Sequence, residues 1–453
     1  LSLEEAESVA FPVPPQPGTA AGQINRALYA PQMMKKRIIS WFTILVTLTD
    51  SASAQTVIKV LHIQSLQAVR DIWRSAADGY EKSHPGVKVQ FDYLENEAFK
   101  AKLPTLLQSK DRPSVFHSWG GGVMKEQVQA GVCKDITSAV TGDFKDSFYP
   151  AGIQNFTVDG KLYGLPNDVA PIVFWYNKEL CQKAGVDPTK IKQWDDFLEA
   201  VKKLKAAGVT PIAAGGGDKW PLHFYPTFLM MRIMGKSGLE GAVGKDNKDG
   251  LAAPDVLKAW KMYKDLCDLQ PFQNGYQTAK FQDAGGYFHD GKAAFHLMGT
   301  WDLTEGRANS TSKKGLSNDQ MGWIFFPEVK DGKGKANDIF ASVDGWLVTQ
   351  EAPKETADFF KVWLGKETQT KLAAAGLFIP MVKGTAAAIQ DPFLNGIAKE
   401  AEKADWIAIA MDQFLGPDTG RVFNDQAAAV AAGGVTPEQA VKAIQDSWSQ
   451  NKM

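Results

Sequence analysis

Three observations predict an α/β protein of two lobes. Short apolar runs alternate with helix-periodic stretches after residue 56, the pattern of parallel βαβ units. The extended apolar stretch 171–176 ends at Asn177-Lys178 and reads as a strand crossing between lobes rather than a surface loop. The segment 283–302, DAGGYFHDGKAAFHLMGTWD, carries a short apolar run at 293–298 bounded by breakers, and its closing Gly299-Thr300-Trp301 delivers an indole to the rim of a sheet. At 453 residues the chain has room for about two or three domains.

In chain order, Met34-Lys35-Lys36-Arg37 is a basic start, 38–48 an apolar run, and Ala52-Ser53-Ala54 a small-residue cleavage signal, so a signal peptide ending before Gln55 is expected. The run is shorter than the ~20 residues that span a bilayer. The Pro/Gly/Ala-rich residues 1–32 precede it and are left out of the fold as an upstream start. No cysteine follows the cleavage site, so a product without a lipid anchor is expected.

Strands are expected at 57–61, 87–91 and 115–116, with Val69, Trp73, Ala77 and Tyr80 at helical spacing between the first two and a helix over 99–107. Ligands of such sheets collect beyond the carboxyl ends of the strands, where Gln64-Ser65 and 117–122 fall. For His117 a hydrogen-bonded structural role stands beside ligand contact. Asp159-Gly160 between two short runs marks a hairpin. The crossing stretch then brings Asn167, Asp168, Trp175 and Tyr176 close together in sequence. Trp194, Phe197, Val201 and Leu204 predict a helix with Asp195-Asp196 in its first turn. A strand over 210–214 leads to the loop 215–221, whose three glycines let the backbone approach something while Trp220 and His223 project beside it. Residues 224–281 read as mostly helical, 321–326 as a strand, 340–348 as a loop feeding a strand, and the rest, Trp406 included, as helix with Gly-Pro breaks.

A formal net charge of −1 gives no concentrated positive field for nucleic acid. Cys133, Cys181 and Cys267 have neither metal-knuckle nor redox spacing, leaving one disulfide or three buried thiols open. There is no Walker loop, no GxSxG, no HExxH and no histidine cluster, so no cofactor or metal is expected. Asp168, Asp218, Asp283 and Asp344 lie in ligand-side segments, which keeps a two-carboxylate glycosidase open. None of them is a glutamate in apolar surroundings of the kind that makes a general acid. What recurs among the 13 tryptophans is an aromatic beside Asp, Asn, Gln or His, separated by small residues. That pairing suits a sugar, whose C–H face stacks on indole and whose hydroxyl rim exchanges hydrogen bonds with carboxylates and amides.

In this order, Tyr80-Glu81-Lys82-Ser83-His84-Pro85-Gly86-Val87, Asp159-Gly160-Lys161-Leu162-Tyr163-Gly164-Leu165-Pro166, Trp175-Tyr176-Asn177-Lys178, Trp194-Asp195-Asp196-Phe197, Phe288-His289-Asp290-Gly291-Lys292 and Met298-Gly299-Thr300-Trp301 resemble the extracellular solute-binding proteins of ABC sugar importers, the family that includes maltose- and glucose-binding members. The likeness runs through the whole chain after residue 55, and 217–221 is similar to a loop of glucose-binding members. It implies a two-lobed periplasmic-binding-protein fold (type II-like) with hinge strands, and a mono- or oligosaccharide held in the cleft without catalysis. Also implied are permease subunits of the inner membrane as partner, a monomer in solution and a periplasmic location. By family pattern Trp301 stacks on sugar. Gln64, His117 and Trp119 would reach it from the first lobe, with Asp168, Trp175, Trp220, His223 and Asp344 completing the site. For Trp119 and Trp220 the alternative is an indole packed in the core. The loop after the second strand leaves Tyr93, Glu95, Asn96 and Glu97 as undistinguished candidates. The expected lobes are 55–165 with about 328–380, and 166–327 with about 381–453. An exported glycoside hydrolase and a binder of peptide or another non-sugar solute are the alternatives.

Overall fold

A computed structural model describes residues 55–244 and 249–451. The predicted signal peptide lies outside the described residues. Among those described, no helix is long and apolar enough to cross a membrane, no acidic, histidine or cysteine cluster could hold a metal ion, and the three cysteines are free and buried.

Eleven strands are described: β1 Thr56–His62, β2 Val87–Tyr93, β3 Val115–Ser118, β4 Thr157–Val158, β5 Lys161–Leu162, β6 Gly164–Asn177, β7 Ile212–Ala213, β8 Phe295–Gly299, β9 Met321–Ile324, β10 Asp338–Val348 and β11 Trp406–Ala408. The main sheet runs β2-β1-β3-β10-β6-β8-β7, with β11 on β10 and β9 on β6. β2 and β3 flank β1 in parallel, as the early periodicity predicts. β4 and β5 form the hairpin at Asp159-Gly160, both residues having the positive φ (49° and 77°) that such a turn requires.

β6 joins the two halves. All 14 of its residues are buried, which explains its near-continuous apolar sequence. Residues 164–171 pair with β10, itself paired with β3, while 172–177 pair with β8 and β9. One strand therefore belongs to both lobes, and a bend in it changes the angle between them.

Each lobe has its own aromatic core. In the first, Trp73, Trp346 and Trp363 meet with centroids 4.4–5.5 Å apart. In the second, Phe174 stacks on Phe326 at 5.5 Å and Trp194 on Phe326 at 5.1 Å. Much of the tryptophan surplus is thus core.

Some local expectations are corrected. Trp220 opens the helix Trp220–Ala242 instead of lying in a loop, because Pro221 sits in the first turn, where its missing N–H costs nothing. Trp406 lies in a strand, drawn into pairing with Asp338 at the start of β10. β10 is extended from Asp338, so the stretch read as a loop is ladder throughout. The glycines 215–217 approach the chain's own segment 276–281: Gly216 N and Gly217 N donate to Tyr276 O (2.8 Å) and Ala279 O (2.9 Å), and a Cβ at any of the three would overlap that segment.

Candidate functional site

The floor of the interlobe cleft is made by β6 and β10. Asp168 and Asp344 are register partners, and the register then shifts so that Gly345 faces Pro166. The step leaves Asn167 as an extra residue, so consecutive Asn167 and Asp168 both open on the cleft. Asn167 Nδ2 donates to Asp168 Oδ1 at 2.6 Å, and Ser342 Oγ donates to Asp344 Oδ1 at 3.2 Å. His117 Nε2 stands 3.2 Å from Asp344 Oδ1, off the line of a hydrogen bond. Burial, reinforced by the neighbouring Asp344, holds the Asp168 carboxyl well above the usual carboxylate range, and the Asn167 amide offsets only part of that.

The first-lobe wall begins where β1 ends. Arg70 Nη1 donates to the carbonyls of Gln64 (2.8 Å) and Ser65 (2.6 Å) and fixes that loop at the cleft edge. The four candidates after β2 separate. Tyr93 and Asn96 line the cleft, whereas Glu95 caps the helix Asn96–Gln108 by accepting from Glu97 N and Ala98 N, and Glu97 pairs with Lys100 at 3.0 Å. Trp119 stands edge-on to His117, with centroids 4.6 Å apart. The Lys100 ammonium lies 5.4 Å from the ring of Trp119 and 5.8 Å from that of Trp220 on the opposite wall.

The second-lobe wall carries Trp220 and Trp301, 6.4 Å apart at 56°. Gly299 must lack a side chain because the Trp301 indole lies where its Cβ would be. This gives the Gly-Thr-Trp pattern a packing cause. Trp301 precedes the helix Asp302–Asn309, whose first residue is buried with His289 Nε2 at 3.3 Å and His296 Nε2 at 3.6 Å. Burial pushes the Asp302 carboxyl up, yet the two imidazoles outweigh it and hold it below its ordinary range. One turn on, Glu305 Oε1 accepts from Ser65 Oγ at 2.6 Å across the gap. His223 shares a hydrogen bond with Thr227 (Nδ1 to Oγ1, 3.0 Å) and lies 3.5 Å from Asp412, which also accepts from Asn424 at 3.1 Å.

Gln64, His117, Trp119, Asp168, Trp220, His223, Trp301 and Asp344 all line this one cavity of ≈ 150 Å³. Trp175 is the correction. It is 0% exposed, its Nε1 donates to Gly299 O at 3.4 Å and its ring packs towards Phe393, because its place on β6 faces the second-lobe interior. Lys100, Glu305 and Asp412 were not singled out from sequence. Each is a charged residue on a helix, like many solvated ones, and only the packing of the lobes turns it inward.

A two-lobed α/β chain with an aromatic and carboxylate-lined cleft over shared hinge strands is a solute-binding fold. The chain belongs to the bacterial extracellular solute-binding protein family, whose description matches residues 65–370. It is 27% identical over 251 residues (54% of this chain, 55% of the other) to an uncharacterized ABC transporter extracellular-binding protein of Pyrococcus horikoshii. It is also 29% identical over 170 residues (37% of each chain) to the arabinooligosaccharide-binding protein of Bacillus subtilis. The chain spans about half the length of the first curated relatives it matches. Among solved structures, a chitin oligosaccharide binding protein superposes with TM-score 0.79 at 24% identity, covering 88% of this chain and 99% of that one. A protein of xylan utilization from Caldanaerobius polysaccharolyticus gives 0.79 at 24% identity over 86% and 99%. At these identities the structures establish the fold.

Proposed function

We propose that the chain is the substrate-binding component of an ABC sugar importer. It binds a mono- or oligosaccharide reversibly between its lobes and presents the closed form to a membrane permease from the periplasm, after export on the signal peptide. The observation that carries this reading is the meeting of Trp119, Trp220 and Trp301 over the paired carboxyls Asp168 and Asp344. Indoles suit the C–H face of a sugar, and neighbouring acceptors suit its hydroxyls. The ≈ 150 Å³ of free space is about that of a cavity that holds one six-membered ring, which favours a monosaccharide, or one ring of a longer sugar, in this conformation. In this reading the lobes are 55–165 with about 328–380, and 166–327 with about 381–453.

Cleft charge argues for a neutral ligand. Asp168, Asp344, Glu305 and Asp412 face Lys100 as the lysine among the lining residues, with no arginine beside it. An anion such as a sugar phosphate or sulfonate would meet this set at a cost. That separates the chain from its relative in Brucella melitensis, the sn-glycerol-3-phosphate-binding periplasmic protein, which is 26% identical over 64% of this chain and 68% of that one. The glycosidase reading is disfavoured because Asp168 and Asp344 are register neighbours on one floor instead of facing each other across a bond to be cut.

The test is a thermal-shift screen of the mature protein against neutral sugars, sugar phosphates and peptides, with tryptophan fluorescence and reducing ends followed in parallel. Stabilisation and a fluorescence change with neutral sugars, without new reducing ends, support the reading. Stabilisation by peptides alone, or turnover at enzyme-like rates, rejects it.

A further inference from the structure

Two of the contacts between the lobes at the cleft differ in kind. Lys100 reaches across to Trp220 through its ammonium, which lies 5.8 Å from the ring. Ser65 and Glu305 meet through a single short hydrogen bond, 2.6 Å from Oγ to Oε1, between the loop after β1 and the helix after Trp301. We propose that Ser65 and Glu305 form an interlobe latch in which Glu305 takes up a proton as the cleft closes, so that the protein closes more readily in acid. The inference rests on the hinge closure proposed above but not on the identity of the ligand.

The groups around Glu305 explain why closure is coupled to a proton. Its own helix offers Asp302, the helix-capping Glu95 lies on the first lobe, and Tyr93 beside it is faced by Arg70, whose guanidinium lies 5.8 Å from the ring. Arg70 is committed to the Gln64 and Ser65 carbonyls and to the Gln67 side chain. The half-buried carboxyl thus faces two acids and a phenol, with one hydroxyl donor. Burial pushes it up to about 7, Asp302 and Glu95 add to the rise, and the Ser65 hydrogen bond opposes it. Separation of the lobes returns it to water and to the ordinary range near 4.5. A carboxyl whose pKa is higher when closed favours closure fully below about 4.5, and the advantage is lost as pH rises through about 7. The closed-to-open ratio is expected to gain about tenfold between pH 8 and pH 6 and at most about 300-fold in strong acid. Asp168 on the hinge floor is raised as well, so the latch must be separated from it by mutation.

The experiment needs no sugar. The native thiols are buried, so dyes attached at Lys102→Cys and Lys314→Cys, both exposed positions on opposite lobes, report the closed fraction by energy transfer in single molecules. In the ligand-free protein the ratio should rise about tenfold from pH 8 to pH 6. Glu305→Gln, close in shape and permanently neutral, should lose that dependence and stay near the acid value at pH 8. Ser65→Ala should lower closure where the carboxylate is charged and so steepen the dependence. A closed fraction that does not move with pH, or a Glu305→Gln protein that keeps the wild-type dependence, overturns the latch. Neither result bears on whether sugars bind, which the thermal-shift screen decides separately.

Discussion

On the floor of the cleft Asp168 and Asp344 are held by two paired strands, whereas at the rim Ser65 and Glu305 are held by a loop and a helix end that meet only across the gap. Both regions bury carboxyls, and both raise one of them. The floor lies on the hinge strands themselves, so its carboxyls keep their strand partners whether the cleft is open or closed. The rim is buried by closure itself. The lesson is that the same desolvation acts as a standing cost of the fold in one place and as a signal in the other.

The largest effect should come from the two tryptophans that separate core from cleft. Trp175→Ala removes a fully buried ring and should cost about 3–5 kcal/mol of stability, read as a large fall in melting temperature. Trp301→Ala should leave most of the stability and abolish the fluorescence and thermal response to sugars. If the two variants melt alike and Trp301→Ala still binds, the division between them is wrong.

Next in size is Gly299→Ala. A Cβ there meets the Trp301 indole, and overpacking of this kind costs about 1–3 kcal/mol. Binding should weaken by displacement of the ring, while Trp301→Ala in the same background should relieve the stability loss, which a double-mutant cycle would measure.

Asp168→Asn sharpens the floor. The carboxyl of Asp168 is raised in the folded protein, so its contribution favours the fold below the unfolded value near 3.9 and is lost as pH rises through the folded value. Removing the charge should therefore stabilise the protein at pH 7, with the gain over wild type shrinking towards pH 4. A gain that grows on acidification would refute the assigned direction.

The smallest effect is expected at Lys100→Met, which keeps the aliphatic stem but loses the ammonium between Trp119 and Trp220. The closed fraction should fall by about 2–5-fold at every pH, corresponding to about 0.5–1 kcal/mol. A pH-dependent loss would mean that Lys100 acts through Glu305 instead of beside it.

Much of this protein was determined by sequence alone, because periodicity and turn chemistry are local. The βαβ start, the Asp159-Gly160 hairpin, the crossing strand and the strand that ends at Gly299-Thr300-Trp301 could all be read before any contact was known. Of the eight candidate cleft residues, Gln64, His117, Trp119 and Trp301 could be read because they sit at or just beyond the ends of β1, β3 and β8, where side chains emerge from a sheet. What only the tertiary structure decided was direction and partnership. Trp175 and Trp301 look alike in sequence, but one faces the second-lobe core and the other the gap. Glu305, Lys100 and Asp412 resemble ordinary helix-surface charges until two lobes close over them. Burial between lobes is a property of distances in space between residues hundreds of positions apart, and no local pattern encodes it.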